Sequence, residues 1–302
     1  MNHGNQPQRA ALALGNFDGL HRGHLAVLDA AMAAAKENGL CPTVLLFDIH
    51  PKELLFGAPP PSLLTDEMKR ELLTARGFQI KTVSFHDIRD LSPADFAQTL
   101  RDTLHAAVVC CGANYRFGQH AAGTADDLRR FGSHFGFQVR VAPQVELGGI
   151  PVSATRIRRA IEDGDIPAAN AMLGRPFSYR LTVVSGDRRG RLLGFPTINQ
   201  FFPDRFVRPR AGVYASAVTL GGRRHCAVTN IGVRPTIGTE TFRSETCIFD
   251  FSGDLYGQEI EVQLLQFLRP ELKFDTLDGL KATMRHDAET AKRLFEKDLN
   301  QP

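Results

Sequence analysis

Short apolar runs alternate with helical patterns along the first half of the chain. In the first helical pattern, Leu25, Leu28 and Met32 recur at helical spacing, and the pattern ends near Gly39. A later run, Ala106–Cys111, lacks polar alternation, which is typical of a strand covered on both faces. Strands that alternate with helices predict a parallel, doubly wound sheet. The predicted strands are Ala10–Leu14, Pro42–Phe47, Ile80–Phe85, Ala106–Cys111 and Phe137–Val141. The predicted helices are His24–Asn38, Asp66–Arg76, one capped by Ser92 that ends at Leu104, and one capped by Thr124 that reaches Phe131.

The pattern changes after about residue 172, where the sequence Gly174-Arg175-Pro176 indicates a joint. Short strands then follow with few helical signals, and Leu220–Arg223 has the sequence of a hairpin turn. These features predict a small antiparallel barrel or sandwich, and an amphipathic pattern from Thr276 predicts a C-terminal helix. We therefore expect two domains, at 1–173 and 174–302. The predicted strands of the second are Tyr179–Ser185, Gly212–Leu220, Arg224–Ile231, Glu245–Asp250 and Glu259–Phe267.

Composition narrows the class of protein. The 302 residues are enough for two domains, and 43% hydrophobic with 23% charged residues is ordinary for a globular protein. The net charge of +3 suits an anionic ligand, and no helix-turn-helix or interleaved aromatic platform points to nucleic acid. The five cysteines form no C-x-x-C pair, and no apolar run approaches the roughly 18 residues of a membrane helix. We expect a cytoplasmic protein without a membrane or nucleic-acid partner; its oligomeric state is open.

The first motif carrying chemistry occupies residues 12–24, LALGNFDGLHRGH. A strand leads into a glycine-rich turn and then a helix, which places backbone N–H groups and the positive helix end beside an anion. His21 and His24 are three positions apart, so they can face one side and stabilise charge on a polyphosphate. Asp18 could orient a histidine or a hydroxyl. Two alternatives stay open: the histidines bind a metal, or they merely form a polar helix start.

Two further segments are candidates for function, and the second of them suggests anion binding. In Cys111–Thr124, CGANYRFGQHAAGT, a strand ends in a turn with Asn114 and an arginine. In Val152–Arg158, VSATRIR, arginines crowd the first turns of a helix, where the dipole disfavours cations unless they meet an anion. The alternatives are an ordinary strand end in the first case and a solvated basic face in the second.

A fourth motif spans residues 186–199, GDRRGRLLGFPTIN. It is glycine-rich and basic but lacks the lysine pattern of a P-loop. Thr197 and Asn199 are two apart, so on a strand they would project to one face. Their oxygens suit Mg²⁺, with phosphate and water as the remaining ligands. The alternative is a basic hairpin with a polar strand face.

The first three motifs together resemble the HxGH nucleotidylyltransferase superfamily, in the form carried by bacterial FAD synthetases. The resemblance implies a Rossmann-like α/β domain over 1–173 that adenylylates FMN with ATP. It implies that His21 and His24 act on the ATP phosphates, and that Asn114 and Arg158 are further catalytic residues. The ligand-binding residues that it implies are Gly15, Phe17, Asp18, Gly23 and Thr155.

The fourth motif resembles the G-R-x-L-G-F-P-T-A-N signature of riboflavin kinases. Later segments resemble that family in the same order: Gly212–Ala215, Asn230–Thr236 and Gly253–Gly257. The resemblance implies a small antiparallel β-barrel kinase domain over 174–302, which uses ATP and Mg²⁺ to phosphorylate riboflavin. It places Glu245 at the family's catalytic glutamate, which accepts the proton of the 5′-hydroxyl. The implied Mg²⁺ ligands are Thr197 and Asn199, and the implied ATP-binding residues are Gly190, Arg191, Gly194 and Pro196.

The sequence departs from the family patterns at three positions. Ala154 stands where a second hydroxyl is usual, Ile49 stands where F-x-P-H-P has proline, and Ile198 replaces an alanine. The leading hypothesis is a bifunctional enzyme that converts riboflavin to FMN and FMN to FAD. Because of Ala154 and Ile49, a kinase whose N-terminal half is weak or uses another acceptor is the runner-up. A non-catalytic flavin or nucleotide sensor is a third hypothesis.

Overall fold

The computed structural model describes residues 8–57, 59–186, 196–236 and 239–300. By packing, the chain divides into two compact units. One consists of Met1–Pro60 with Asp66–Ser153, and the other of Pro61–Thr65 with Ala154–Pro302. The boundary expected at residue 173 differs from this division by packing, and it stays a prediction.

The first unit is built on a five-stranded parallel sheet with strand order β3-β2-β1-β4-β7. The predicted doubly wound architecture is confirmed. Its strands are β1 (Ala10–Leu14), β2 (Cys41–Phe47), β3 (Gln79–Val83), β4 (Ala106–Gly112), β5 (Arg116–Phe117), β6 (Gly123–Thr124), β7 (Gln138–Ala142), β8 (Glu146–Leu147) and β9 (Ile150–Pro151). Its helices are α1 (Arg22–Asn38), α2 (Pro51–Phe56), α3 (Asp66–Ala75), α4 (Phe85–Ile88), α5 (Pro93–Asp102) and α6 (Ala125–Phe135).

The strand order of this sheet creates a crevice. The chain adds β2 and β3 on one side of β1, then crosses to the other side to add β4 and β7. Helices that leave the neighbouring strands β1 and β4 in opposite directions open a gap at the carboxyl ends of these strands. A ligand site is therefore expected where Leu14 and Gly112 end their strands.

The helix caps in this unit agree with the sequence. The Ser92 hydroxyl accepts from the Asp95 N–H at 3.1 Å, and Pro93 takes the first helical position. Thr124 and Asp127 form a reciprocal capping box.

The predicted end of α6 at Phe131 was too early, because Gly132 is a packing position within the helix and does not end it. A side chain at Gly132 would lie 2.7 Å from the Phe137 carbonyl oxygen.

The second unit contains a six-stranded antiparallel sheet with strand order β10-β15-β12-β13-β14-β11. Val184, just past β10, pairs with Asn199 of β11, so the two edges of the curled sheet meet. The predicted small barrel is confirmed, as is the hairpin at Gly221 and Gly222, which both have positive φ. The strands are β10 (Phe177–Thr182), β11 (Thr197–Phe201), β12 (Gly212–Leu220), β13 (Arg223–Thr236), β14 (Thr239–Ile248) and β15 (Glu259–Arg269). The helices are α7 (Ala154–Asp163), α8 (Ile166–Leu173) and α9 (Leu277–Leu299).

The C-terminal helix α9 begins at the predicted cap, where the Thr276 hydroxyl accepts from the Gly279 N–H. Ala291 and Phe295 pack against apolar residues of the barrel wall. A buried ion pair also anchors the helix. Asp287 is 4% exposed, and its carboxylate pairs with the Arg269 guanidinium of β15 at 2.7 Å. Within the described part of the chain, no helix is long and apolar enough to cross a membrane.

Removing one member of the buried ion pair should destabilise the second unit. We expect Asp287→Ala to lower the free energy of unfolding by about 3–5 kcal/mol, because it leaves a buried guanidinium without its counter-charge. Urea unfolding followed by circular dichroism measures this. The matched control is Asp204→Ala, since Asp204 is fully exposed in a 3.9 Å pair with Arg208. Equal unfolding midpoints for the two variants would contradict the anchoring role.

Candidate active sites

The chain reverses sharply between β1 and α1. Phe17, Gly19 and Leu20 all have positive φ, at 48°, 76° and 43°. This conformation is strained for the phenylalanine and the leucine, and such strain concentrates at functional sites. The buried Phe17 ring folds over Gly15, where an added Cβ would lie 3.2 Å from its Cζ atom. Phe17 and the buried Asp18 therefore shape this turn from within.

His21 caps α1 and orders the two histidines. Its Nδ1 accepts from the His24 backbone N–H at 3.3 Å, so a neutral His21 ring carries its proton on Nε2. The two imidazoles stack with ring centroids 3.7 Å apart. Gly23 makes this possible, because a Cβ there would lie 3.1 Å from Cε1 of His21. The predicted common orientation of the histidines thus depends on a glycine between them.

His24 is held in its neutral form. Burial, followed by the charges of His21 and Lys69, lowers the pKa of His24 well below 6.5. Its Nδ1 atom is buried and has no hydrogen-bond partner among the described residues. A buried polar atom without a partner is unusual and marks a position where a ligand group would be stabilised.

A pocket of about 800 Å³ lies at the carboxyl ends of β1 and β4, where the crevice was expected. His21, His24 and Asn114 all line it, and so do Gly15 and Gly23. The structure thus brings together five residues that the sequence assigned to one site from two motifs about 90 positions apart. The remaining wall is largely apolar and includes Phe47, Phe85 and Phe96.

One contact in this pocket was not predicted. The Asn16 Nδ2 atom lies 2.5 Å from Nε2 of His50, which belongs to the loop after β2. Asn16 lies within the first motif, and its polar side chain just after a buried strand was the available signal. The histidine that follows the departure at Ile49 thus contacts the first motif.

Thr155 and Arg158 lie on α7, in the second packing unit. Arg158 donates through Nε to the Pro61 carbonyl at 2.6 Å, and Pro61 belongs to the same unit. Ser153, the residue before α7, lines the pocket described above. Roles for Thr155 and Arg158 at the ATP phosphates stay predictions.

The second candidate site is a row of polar residues across three strands of the barrel. Glu245 on β14 lies directly opposite Asn199 on β11 and Asn230 on β13. Directly paired antiparallel residues share a face, so the three side chains project together. The Asn199 amide packs against Gly186, where an added Cβ would lie 2.6 Å from Cγ of Asn199. The Glu245 carboxylate accepts a hydrogen bond from Nη2 of Arg243 at 2.6 Å.

A pocket of about 560 Å³ opens beside β11. Pro196 and Thr197 line it, together with Asp254 and Tyr256 of the segment that resembles D-L-Y-G. Thr197 and Asn199 lie on one face of β11, as the sequence predicted, although Asn199 and Glu245 are not part of this pocket's lining. The predicted binding residues Gly190, Arg191 and Gly194 lie outside the described residues.

Comparison with known proteins covers both halves of the chain. The FAD synthetase family model matches residues 3–156, and the riboflavin kinase family model matches residues 173–295. A Listeria monocytogenes protein named bifunctional riboflavin kinase/FMN adenylyltransferase is 35% identical, covering 95% of this chain and 92% of the relative. A Pseudomonas fluorescens protein of the same name is 37% identical, covering 93% and 91%. A crystal structure described as a macrolide-efflux protein from Streptococcus pneumoniae superposes with a TM-score of 0.87 and 32% identity, covering 95% of each chain.

The neutral state of His24 predicts a pH-dependent stability. Below pH 6.5 the unfolded chain binds a proton at His24 whereas the folded chain does not, so the free energy of unfolding falls as the pH falls. One such group contributes a slope of up to about 1.4 kcal/mol per pH unit, down to the folded pKa. We expect His24→Gln to lose less stability than the parent between pH 7.5 and 5.5 in urea unfolding. His134→Gln, at an exposed histidine of α6, should keep the parental slope. Identical slopes for all three proteins would contradict the burial of a neutral His24.

Proposed function

Since this chain belongs to the bifunctional riboflavin kinase/FMN adenylyltransferase family, we propose that its two candidate sites divide that family's reactions between them. The enzyme converts riboflavin to FMN and then FMN to FAD, with ATP as the second substrate of both steps. The pocket at β1 and β4 serves the adenylylation, and the polar row on the barrel serves the kinase reaction. The convergence of His21, His24 and Asn114 in one pocket is the observation that carries this assignment.

Adenylylation at the first site needs positioning and charge stabilisation rather than a covalent nucleophile. An FMN phosphate oxygen bonds to the α-phosphorus of ATP, the bond from that phosphorus to the α,β-bridging oxygen breaks, and pyrophosphate leaves. The Nε2–H of His21 and the Asn114 amide stabilise the phosphate charge, assisted by the N-terminal N–H groups of α1. The apolar wall of the same pocket suits a flavin ring. Thr155 and Arg158 hold the ATP phosphates, as the family motif implies.

Phosphorylation at the second site needs a proton acceptor. The 5′-hydroxyl oxygen of riboflavin bonds to the γ-phosphorus, the bond to the β,γ-bridging oxygen breaks, and ADP leaves. The hydroxyl proton passes to the Glu245 carboxylate, which projects from this face of the barrel. Gly190, Arg191, Gly194 and Pro196 bind ATP in this proposal.

Thr197 and Asn199 fit Mg²⁺. They offer a hydroxyl and an amide oxygen from one strand face, and Gly186 leaves the space that the buried Asn199 amide occupies. Among the described residues, no group of three or more His, Cys, Asp or Glu side chains could hold a metal alone. Two protein oxygens completed by phosphate and water are the arrangement that Mg²⁺ prefers. When bound, Mg²⁺ neutralises charge on the ATP phosphates.

We further propose that the enzyme works in the cytoplasm and needs no nucleic-acid partner. All five cysteines are buried and unpaired, which fits a reducing compartment. The substrates of both sites are small molecules, ATP together with riboflavin or FMN.

Two substitutions should separate the two activities. We expect His21→Ala to lower FAD formation from FMN by about 100-fold or more and to leave FMN formation intact, because it removes one charge-stabilising donor. Glu245→Gln should do the reverse, because an amide cannot accept the hydroxyl proton. Chromatographic analysis of products from riboflavin or FMN, with ATP and Mg²⁺, measures both. His134→Ala is the control for His21→Ala. Unchanged FAD formation in His21→Ala, or unchanged FMN formation in Glu245→Gln, would contradict the corresponding assignment.

Gly23→Ala tests whether the histidine geometry matters. The added methyl group lies 3.1 Å from the His21 ring, so the ring must shift by a few tenths of an ångström from its stacked position. We expect FAD formation to fall about tenfold while FMN formation in the same protein is unchanged. A variant that adenylylates FMN at the parental rate would show that the stacked arrangement is dispensable.

A further inference from the structure

Arg243 lies two residues before Glu245 on β14, so the two side chains share a face of the strand. Arg243 Nη2 donates to Oε1 of Glu245 at 2.6 Å. Both side chains are largely buried, at 12% and 22% exposure. Water therefore screens this ion pair less than it would a surface pair. Neither the sequence motifs nor the proposed mechanism gives Arg243 a role.

A second acidic side chain lies above the backbone opposite Arg243. Its direct partner on β13 is Gly232, which has no side chain to contact it. The space above Gly232 is taken by the Glu271 carboxylate, since an added Cβ would lie 2.9 Å from Oε1 of Glu271. Asn230 donates to that same oxygen at 2.9 Å and so holds Glu271 in place. The guanidinium thus pairs with the carboxylate along its own strand, and a second carboxylate lies above the glycine opposite it.

The cluster leaves two polar atoms without partners. The Nε atom of Arg243 and the Oδ1 atom of Asn230 are buried, and neither forms a hydrogen bond with another described residue. Unsatisfied buried groups reduce stability, so the arrangement is not one that maximises stability alone. A charged residue at such a position, beside the proposed proton acceptor, points to a role in the reaction.

We propose that Arg243 is a positioning residue of the kinase site: it holds the Glu245 carboxylate in the orientation that meets the 5′-hydroxyl of riboflavin. The inference rests on Glu245 being the proton acceptor proposed above. A glutamate has several rotatable bonds, and a charge-assisted hydrogen bond to one oxygen restricts them before substrate arrives. Arg243 itself takes no proton and forms no bond in the transfer.

Steady-state kinetics of the full-length enzyme test this. We expect Arg243→Gln to lower kcat for FMN formation about 10- to 100-fold, with KM for riboflavin within about threefold of the parent. Arg243→Lys should recover part of kcat, because an ammonium group still pairs with the carboxylate but lacks the planar fork. FAD formation from FMN should be unchanged in both variants. The matched control is Arg180→Gln, which removes a different arginine–glutamate pair of the barrel, the one between Arg180 and its cross-strand partner Glu261.

A double-mutant cycle separates this inference from the proposed function. If Arg243 acts through Glu245, adding Arg243→Gln to Glu245→Gln should lower the residual FMN formation by less than twofold. A further tenfold loss in that background would overturn the inference, and so would an unchanged kcat or a KM effect alone in Arg243→Gln. Should Arg243→Gln fail to fold, Arg243→Lys carries the test, and a parental kcat there overturns it. Full activity in Glu245→Gln would instead refute the proposed proton acceptor.

Discussion

The reversal of the chain between β1 and α1 is the constraint on which the first site depends. Every residue of β1 is buried, and the pocket that His21 lines lies at the carboxyl end of this strand. There the backbone turns through three positive φ angles, which makes room for a helix start beside the strand end. The packing of Phe17 within the turn offsets the strain. The His21 ring is consequently held by the backbone N–H of His24, which is less mobile than a side-chain partner. A group held in this way is electrostatically preorganised.

In the second unit, alternating residues of β14 project to opposite faces of the strand, so structural and candidate functional side chains are separated. Ser244 and Thr246 of β14 are fully buried, and Thr246 joins a row of hydroxyl contacts with Thr229 and Ser216, at 2.9 and 2.8 Å. Glu245 lies between them and projects to the opposite face. A slip of one residue in register would bury the carboxylate and expose the hydroxyls, so the hydroxyl row also specifies the face to which Glu245 projects.

The sequence predicted the features that neighbouring residues determine, and it did not predict contacts between residues that are far apart in the chain. Periodicity and caps predicted the central strands, the helix starts at Ser92 and Thr124, and the hairpin at Gly221, because neighbouring residues determine these features. The histidine pair was predicted for the same reason. The contact of Asn16 with His50 was not, since it joins positions 34 apart. Arg243 was also overlooked, because its position beside Glu245 becomes informative only when the pairing of β13 and β14 is known.

The segment Pro61–Thr65 has a consequence for the separability of the two activities. Ser62 pairs with the chain beside Phe206, through hydrogen bonds of 2.7 Å to the Arg205 carbonyl and 2.9 Å from the Val207 N–H. The kinase unit therefore includes five residues that are encoded within the adenylyltransferase half. Separating the two halves of the chain at residue 153 would therefore remove the contacts of Ser62 with Arg205 and Val207 from the second unit.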